Sequence, residues 1–190
     1  MLVAAARQLF ARRGVDNTTM IDIAKTAGKS RRTLYQYFKN KEEVYLAVIE
    51  TESEILSDTM RRVAEQALPP EVKVMKLIYT HLDAVRGVVS RNGNLRANFF
   101  RDNWVVEGVR KHFDANEVYL FREVLREGVE KGTFHIEDIN MTAEIIHYSV
   151  KGLEVPYIQG RVGNKLDEPT RDRYVSRMVL TALGYRFKPE

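Results

Sequence analysis

Arg31, Arg32, Thr33 and Gln36 stand within six residues of one another, a set of side chains suited to reading the edges of DNA bases. Arginine can grip guanine O6 and N7 with two parallel hydrogen bonds, and glutamine can do the same with adenine. This chemistry requires the base-reading residues to project together from a narrow element that enters the major groove.

The stretch from Thr18 to Lys41 supplies such an element. Thr19 and Asp22 have the T-x-x-D spacing of a capping box, in which each side chain satisfies a free backbone N–H at a helix start. Met20, Ile23, Ala24 and Ala27 follow at i, i+3, i+4 and i+7, one apolar face. Gly28 occupies the helix end, where a left-handed residue is needed, and Ser30 can cap a second helix from Ser30 to Phe38. That helix turns Leu34 and Phe38 inward and leaves Arg31, Arg32, Thr33, Gln36 and Tyr37 outside. Small residues at the crossing, a short turn and a polar second helix make a helix-turn-helix. An ordinary helical hairpin with a solvated face would share part of this pattern.

The flanking segments distinguish the two. Ala-x-x-Leu-Phe, then Gly and Thr-Thr, Ile-Ala-x-x-Ala-Gly and Thr-Leu-Tyr-x-Tyr-Phe-x-x-Lys-Glu follow in order across residues 4–50. In order and spacing this resembles the DNA-binding domain of the tetracycline-repressor family of bacterial transcription regulators. Beyond Glu50 the likeness is one of length and helical layout. The resemblance implies phosphate roles for Thr19, Tyr35 and Lys41, and more loosely for Tyr37, with one tyrosine ring expected to pack inward. Lys29 replaces a usual apolar turn residue and is expected to snorkel while adding a phosphate contact. Arg32 replaces a residue that is often small, which leaves the operator sequence open. Family members usually carry a basic arm ahead of the first helix, whereas here that helix begins almost at Met1.

Charge is distributed accordingly. Up to Lys41 nine cations face only Asp16 and Asp22, a local +7 in a chain of net +4, so the remainder carries −3. The basic end is the nucleic-acid end. With 190 residues and 44% apolar content the chain can bury a sizeable core. It has no cysteine, which excludes disulfides and thiolate metal sites and suits a cytoplasmic protein. No run approaches eighteen apolar residues and no signal peptide is evident, so no membrane partner is expected.

The periodicity predicts an all-α protein of about nine helices: a DNA-binding domain over 1–45 and a helical effector-binding and dimerisation domain over 46–190. Leu2, Ala5, Ala6, Leu9 and Phe10 make the first helix a brace ended by Gly14. A long helix runs from Lys41 to about Gln66, and Pro69–Pro70 mark the start of the next packing unit. Helices are expected at Glu71 to about Val89, about Val109 to Lys131 with a bend or break near Gly108, Ile139 to about Gln159, and Glu168 to about Gly184. Gly152 and Pro156 should bend the penultimate one.

The last two helices carry wide apolar faces. These are Ile139, Ala143, Ile146, Val150 and Leu153 on one, and Val175, Met178, Val179, Ala182 and Leu183 on the other. They could pack within the chain. A homodimer is favoured because one recognition helix reads few base pairs, and a two-fold dimer reads both halves of a palindrome. The resemblance implies the same four-helix interface.

The resemblance also implies a small-molecule effector entering the C-terminal domain and changing the separation of the reading heads. Tyr79, His81, Phe99, Phe100, Trp104, His112, Phe113, Tyr119, His147 and Tyr148 are the candidate pocket residues, mixing aromatic bulk with polar tips. Aromatics at helical spacing also build cores, and the ligand's identity is not legible. The four histidines lack metal-ligand spacing, and the common nucleophile, Walker and dinucleotide motifs are missing, so no cofactor, metal or enzyme activity is expected. The leading expectation is a ligand-responsive dimeric repressor of a palindromic double-stranded DNA operator. The alternative is a helical small-molecule-binding or scaffold protein whose helix-turn-helix is only structural.

Overall fold

Capping organises the N-terminal third of the chain. In a computed structural model, which describes residues 1–91 and 103–187, α1 (Leu2–Arg13) buries Ala5, Ala6, Leu9 and Phe10 and stops at Gly14. The α2 helix (Met20–Thr26) starts at a complete capping box. Thr19 Oγ1 accepts from the Asp22 N–H, and Asp22 accepts from the Thr19 N–H. The Thr19 hydroxyl also donates to the Asp22 carboxylate at 2.7 Å, and this bond, with that from the Thr19 N–H, holds the Asp22 carboxyl below its usual pKa. Gly28 takes φ 63° at the turn, a conformation that strains any residue with a Cβ, and lets the Lys29 N–H reach the Ala24 carbonyl at 2.9 Å. Ser30 Oγ then accepts from the Thr33 N–H at 3.0 Å, starting α3 (Arg31–Tyr37).

The next helix, α4 (Lys41–Ala64), is capped by Asn40 and Glu43, which accept from the N–H groups of Glu43 and Lys39. Its first half delivers Val44, Tyr45, Val48 and Ile49 to a core with Phe10, Ile23 and Leu34. Arg7 on α1 is ion-paired with Glu52 on α4. The helix-turn-helix is thus clamped between a brace and a strut, and its orientation follows from burial rather than from its own short helices.

Helix α5 runs Pro70–Arg91, with proline at its start where the missing N–H costs nothing. It is followed by α6 (Asn103–Glu130), α7 (Ile139–Ile158) and α8 (Glu168–Ala182). Eight helices and no strand occur among the described residues. Asp138 and Asp167 cap α7 and α8. Met60, Leu77, Phe121, Leu125 and Phe134 are the centre of the second core.

One expectation changes. Helix α6 begins at Asn103 rather than near Val109, and of the bend or break expected near Gly108 the break is not found. One glycine costs a helix only about 1 kcal/mol, too little to interrupt 28 residues. The chain also falls into two compact units. One unit comprises Met1–Ile55 with Gly87–Phe113, the other Leu56–Arg86 with Asp114–Glu190. The apolar residues of α4's first half belong to the N-terminal core. Pro69–Pro70 ends a helix without ending a unit.

Candidate nucleic-acid interface

Leu34 is the anchor of α3, fully buried, with Phe38 half-buried beside it. Residues on the opposite face are therefore forced outward. Arg31, Arg32, Tyr35 and Gln36, at i, i+1, i+4 and i+5, are all exposed. No acidic residue lies in the first turn of α3 to neutralise them. Thr33 is half-buried, and its hydroxyl is 2.9 Å from Ser30 Oγ, so it also serves the cap.

Neither tyrosine enters the core: Tyr35 is 42% exposed and Tyr37 70%. This corrects the expectation that one ring packs inward, since Leu34 and Phe38 already fill the inner face. The Tyr35 ring instead lies under the Arg31 guanidinium, whose Cζ is 5.4 Å from the ring centroid. Thr19 and Lys29 are exposed. Lys41 is half-buried, and its ammonium donates to the carbonyls of Val15 at 2.8 Å and Asp16 at 3.3 Å. It thereby ties the α1–α2 connection to the start of α4.

The candidate pocket residues fall in both units. Phe99 and Phe100 lie outside the described residues, and Trp104 is placed only as part of α6. His112 is exposed and meets half-buried Phe113 edge to face at 5.6 Å. Tyr119 and Tyr148 are exposed on α6 and α7, while Tyr79 packs on the second core, its pKa raised by burial and by nearby Asp172.

Within the C-terminal unit, His81 and His147 converge on acidic partners outside the candidate set. His81 Nδ1 is 3.0 and 3.1 Å from the two oxygens of Glu117, and Nε2 is 3.0 Å from Glu154. His147, 1% exposed, places Nδ1 3.1 Å from Glu117 and Nε2 3.6 Å from Asp114 without hydrogen-bond alignment. Asp114 in turn accepts from Lys151 at 2.6 Å. Burial opposes charge at His81, but the hydrogen bonds it donates to Glu117 and Glu154 outweigh it and push its pKa up to about 9. Burial likewise opposes ionisation of Glu117, and the two histidines outweigh it, drawing its pKa down to about 2. The signal was present as His147, Lys151 and Glu154 at i, i+4 and i+7 of α7, polar groups on a core-facing stripe. Among the described residues no group of three or more His, Cys, Asp or Glu is arranged to hold a metal ion.

A cavity of about 390 Å³ opens between α7 and α8 in the C-terminal unit. Ile146, Val150, Leu153, Val175, Met178, Val179, Ala182 and Leu183, from the two faces expected to pair, line it together with Ile78 and Leu82 of α5, and none of the described pocket candidates does. Ala143, Val150 and Leu183 are buried within the protomer, whereas Met178 is 68% exposed and Leu153, Ile145, Tyr148 and Tyr174 are exposed as well. No helix among the described residues is long and apolar enough to cross a membrane.

Residues 2–48 match the family model described as bacterial regulatory proteins, tetR family. Over 140 residues the chain is 27% identical to the uncharacterized HTH-type transcriptional regulator YfiR of Bacillus subtilis, covering 70% of this chain and 66% of that one. A solved transcriptional regulator from Cytophaga hutchinsonii shares the fold with a TM-score of 0.78 at 23% identity over 96% of both chains. The regulator FadR from Bacillus subtilis, solved in complex with stearoyl-CoA, matches with a TM-score of 0.66 at 18% identity, covering 96% of this chain and 95% of that one.

Proposed function

Because the chain belongs to the tetR family of bacterial regulatory proteins, whose members are ligand-responsive DNA-binding transcriptional regulators, we propose that it is a cytoplasmic repressor. It binds a palindromic operator as a homodimer and is released by a small molecule. The observation that carries this reading is the outer face of α3, where Arg31, Arg32, Tyr35 and Gln36 project together while Leu34 fixes the helix from behind. A helix-turn-helix with a purely structural role would gain nothing from an unneutralised cationic face.

In this reading Arg31, Arg32 and Gln36 meet base edges, with Thr33 at the margin. Thr19, Lys29, Tyr35 and Tyr37 meet phosphates, which set register and affinity. Lys41 keeps one ammonium proton for a phosphate after serving Val15 and Asp16. The exposed apolar residues of α7 and α8 pair with a second copy, which places two reading helices on one operator. That a structural neighbour was solved with a bound acyl-CoA supports a small-molecule effector here; it does not carry the effector's identity over.

The test is selection of bound duplexes from a random pool, followed by titration of the winner at two salt concentrations. A palindromic consensus with affinity falling steeply in salt is expected, because each neutralised phosphate releases counterions. Absence of any enriched sequence, with shallow salt dependence, would refute operator binding.

A further inference from the structure

Arg31 and Arg32 are neighbours of the same type, both exposed, and only one of them has a platform. Arg31 Cζ lies over the Tyr35 ring, 5.4 Å from its centroid, with the two residues at i and i+4 of α3. Among the described residues Arg32 has no ring beneath its guanidinium, and neither arginine has a carboxylate partner. An exposed arginine is rotamer-rich and must be ordered before it can hydrogen-bond a base in a fixed fork.

Resting on the reading that α3 enters the major groove, we propose that Tyr35 is a positioning residue for Arg31: its ring holds the guanidinium at a base edge, so Tyr35 sets sequence preference as well as affinity. The chemistry is compatible with both tasks at once. An aromatic ring engages the flat face of a guanidinium, whereas the N–H donors lie in its plane and remain free for guanine O6 and N7. The Tyr35 hydroxyl, at the other end of the ring, remains available to a phosphate. Arg32 lacks this ordering and contributes affinity with less discrimination.

Ring and hydroxyl are separable by substitution. Wild type, Arg31→Ala, Tyr35→Phe and Tyr35→Leu are each titrated with the palindrome that wild type selects and with its single-base-pair variants. Far-UV circular dichroism checks that each variant retains its helices, as the exposure of Tyr35 leads one to expect. Arg31→Ala should flatten the preference at one symmetry-related pair of positions. Tyr35→Phe keeps the ring, so it should retain that preference while weakening every duplex alike. Tyr35→Leu should lower the preference at the same positions, and nowhere else, by about two- to five-fold, the worth of an exposed cation–ring contact. A Tyr35→Leu protein with the wild-type preference at those positions would overturn the proposal. Should wild type select no sequence, the operator reading falls first and takes this inference with it, a result visible in the wild-type arm alone.

Discussion

Lys41 Nζ donates a hydrogen bond to the backbone carbonyl of Val15, 2.8 Å away and 26 residues earlier in the chain. The side chain expected to act on DNA thus also holds the protein's own connection between α1 and α2, the segment that aims Thr19. Lys41→Met should cost about 1 to 2 kcal/mol, toward the lower part of the range for hydrogen bonds from charged groups because the site is half-buried. The melting temperature should fall by a few degrees, and affinity for operator and unrelated duplexes should fall together. Denaturant unfolding and duplex titration read these separately; an unchanged unfolding midpoint would leave Lys41 with no bracing role.

The cluster around His81 predicts a pH profile for the C-terminal unit. His81 is raised from 6.5 to about 9, so its contribution is full below about pH 6.5 and is lost as pH rises through about 9. Glu117 is lowered from 4.5 to about 2, so its contribution is full above about pH 4.5 and is lost as pH falls toward 2. Chemical denaturation across pH 3 to 10 should show greatest stability between about 4.5 and 6.5 from these two groups. A stability curve that rises steadily from pH 6.5 to 9 would contradict the paired assignment.

Removing His81 leaves Glu117 and Glu154 buried without their shared cation. His81→Ala should destabilise by about 3 to 5 kcal/mol, the cost of breaking a buried ion pair by removing one partner, whereas His112→Ala, at an exposed site, should change stability by less than about 0.5 kcal/mol. Equal effects of the two substitutions in urea unfolding would show that the cluster is not coupled.

Met178 offers a clean test of dimerisation because 68% of its surface is exposed within the protomer. Met178→Asp should leave helical content unchanged, shift the protein toward monomer in sedimentation equilibrium, and weaken operator binding at least ten-fold. A Met178→Asp protein that sediments as a dimer would move the interface elsewhere.

The reading helix was legible because local chemistry defines it. Thr19 with Asp22, Gly28 and Ser30 act within a few residues of themselves, so spacing alone reveals the caps and the turn. Leu34 at its position then leaves Arg31, Arg32 and Gln36 outward. The buried cluster was not legible as a unit, since His81, Glu117 and His147 come from three helices and no local pattern relates them. Tyr119 and Tyr148 have the types a pocket uses but lie exposed, since type does not say which side of a helix faces out.

By itself the sequence determined the all-helical class, the helix-turn-helix and the identity of its outward face, because helical periodicity and capping are properties of neighbours along the chain. Tertiary structure alone decided that Tyr35 lies under Arg31 rather than in the core, that Lys41 reaches the Val15 carbonyl, and that His81 sits between two glutamates. Each of these depends on which side chains burial has already placed and which space remains, and burial is settled by contacts between residues far apart in sequence.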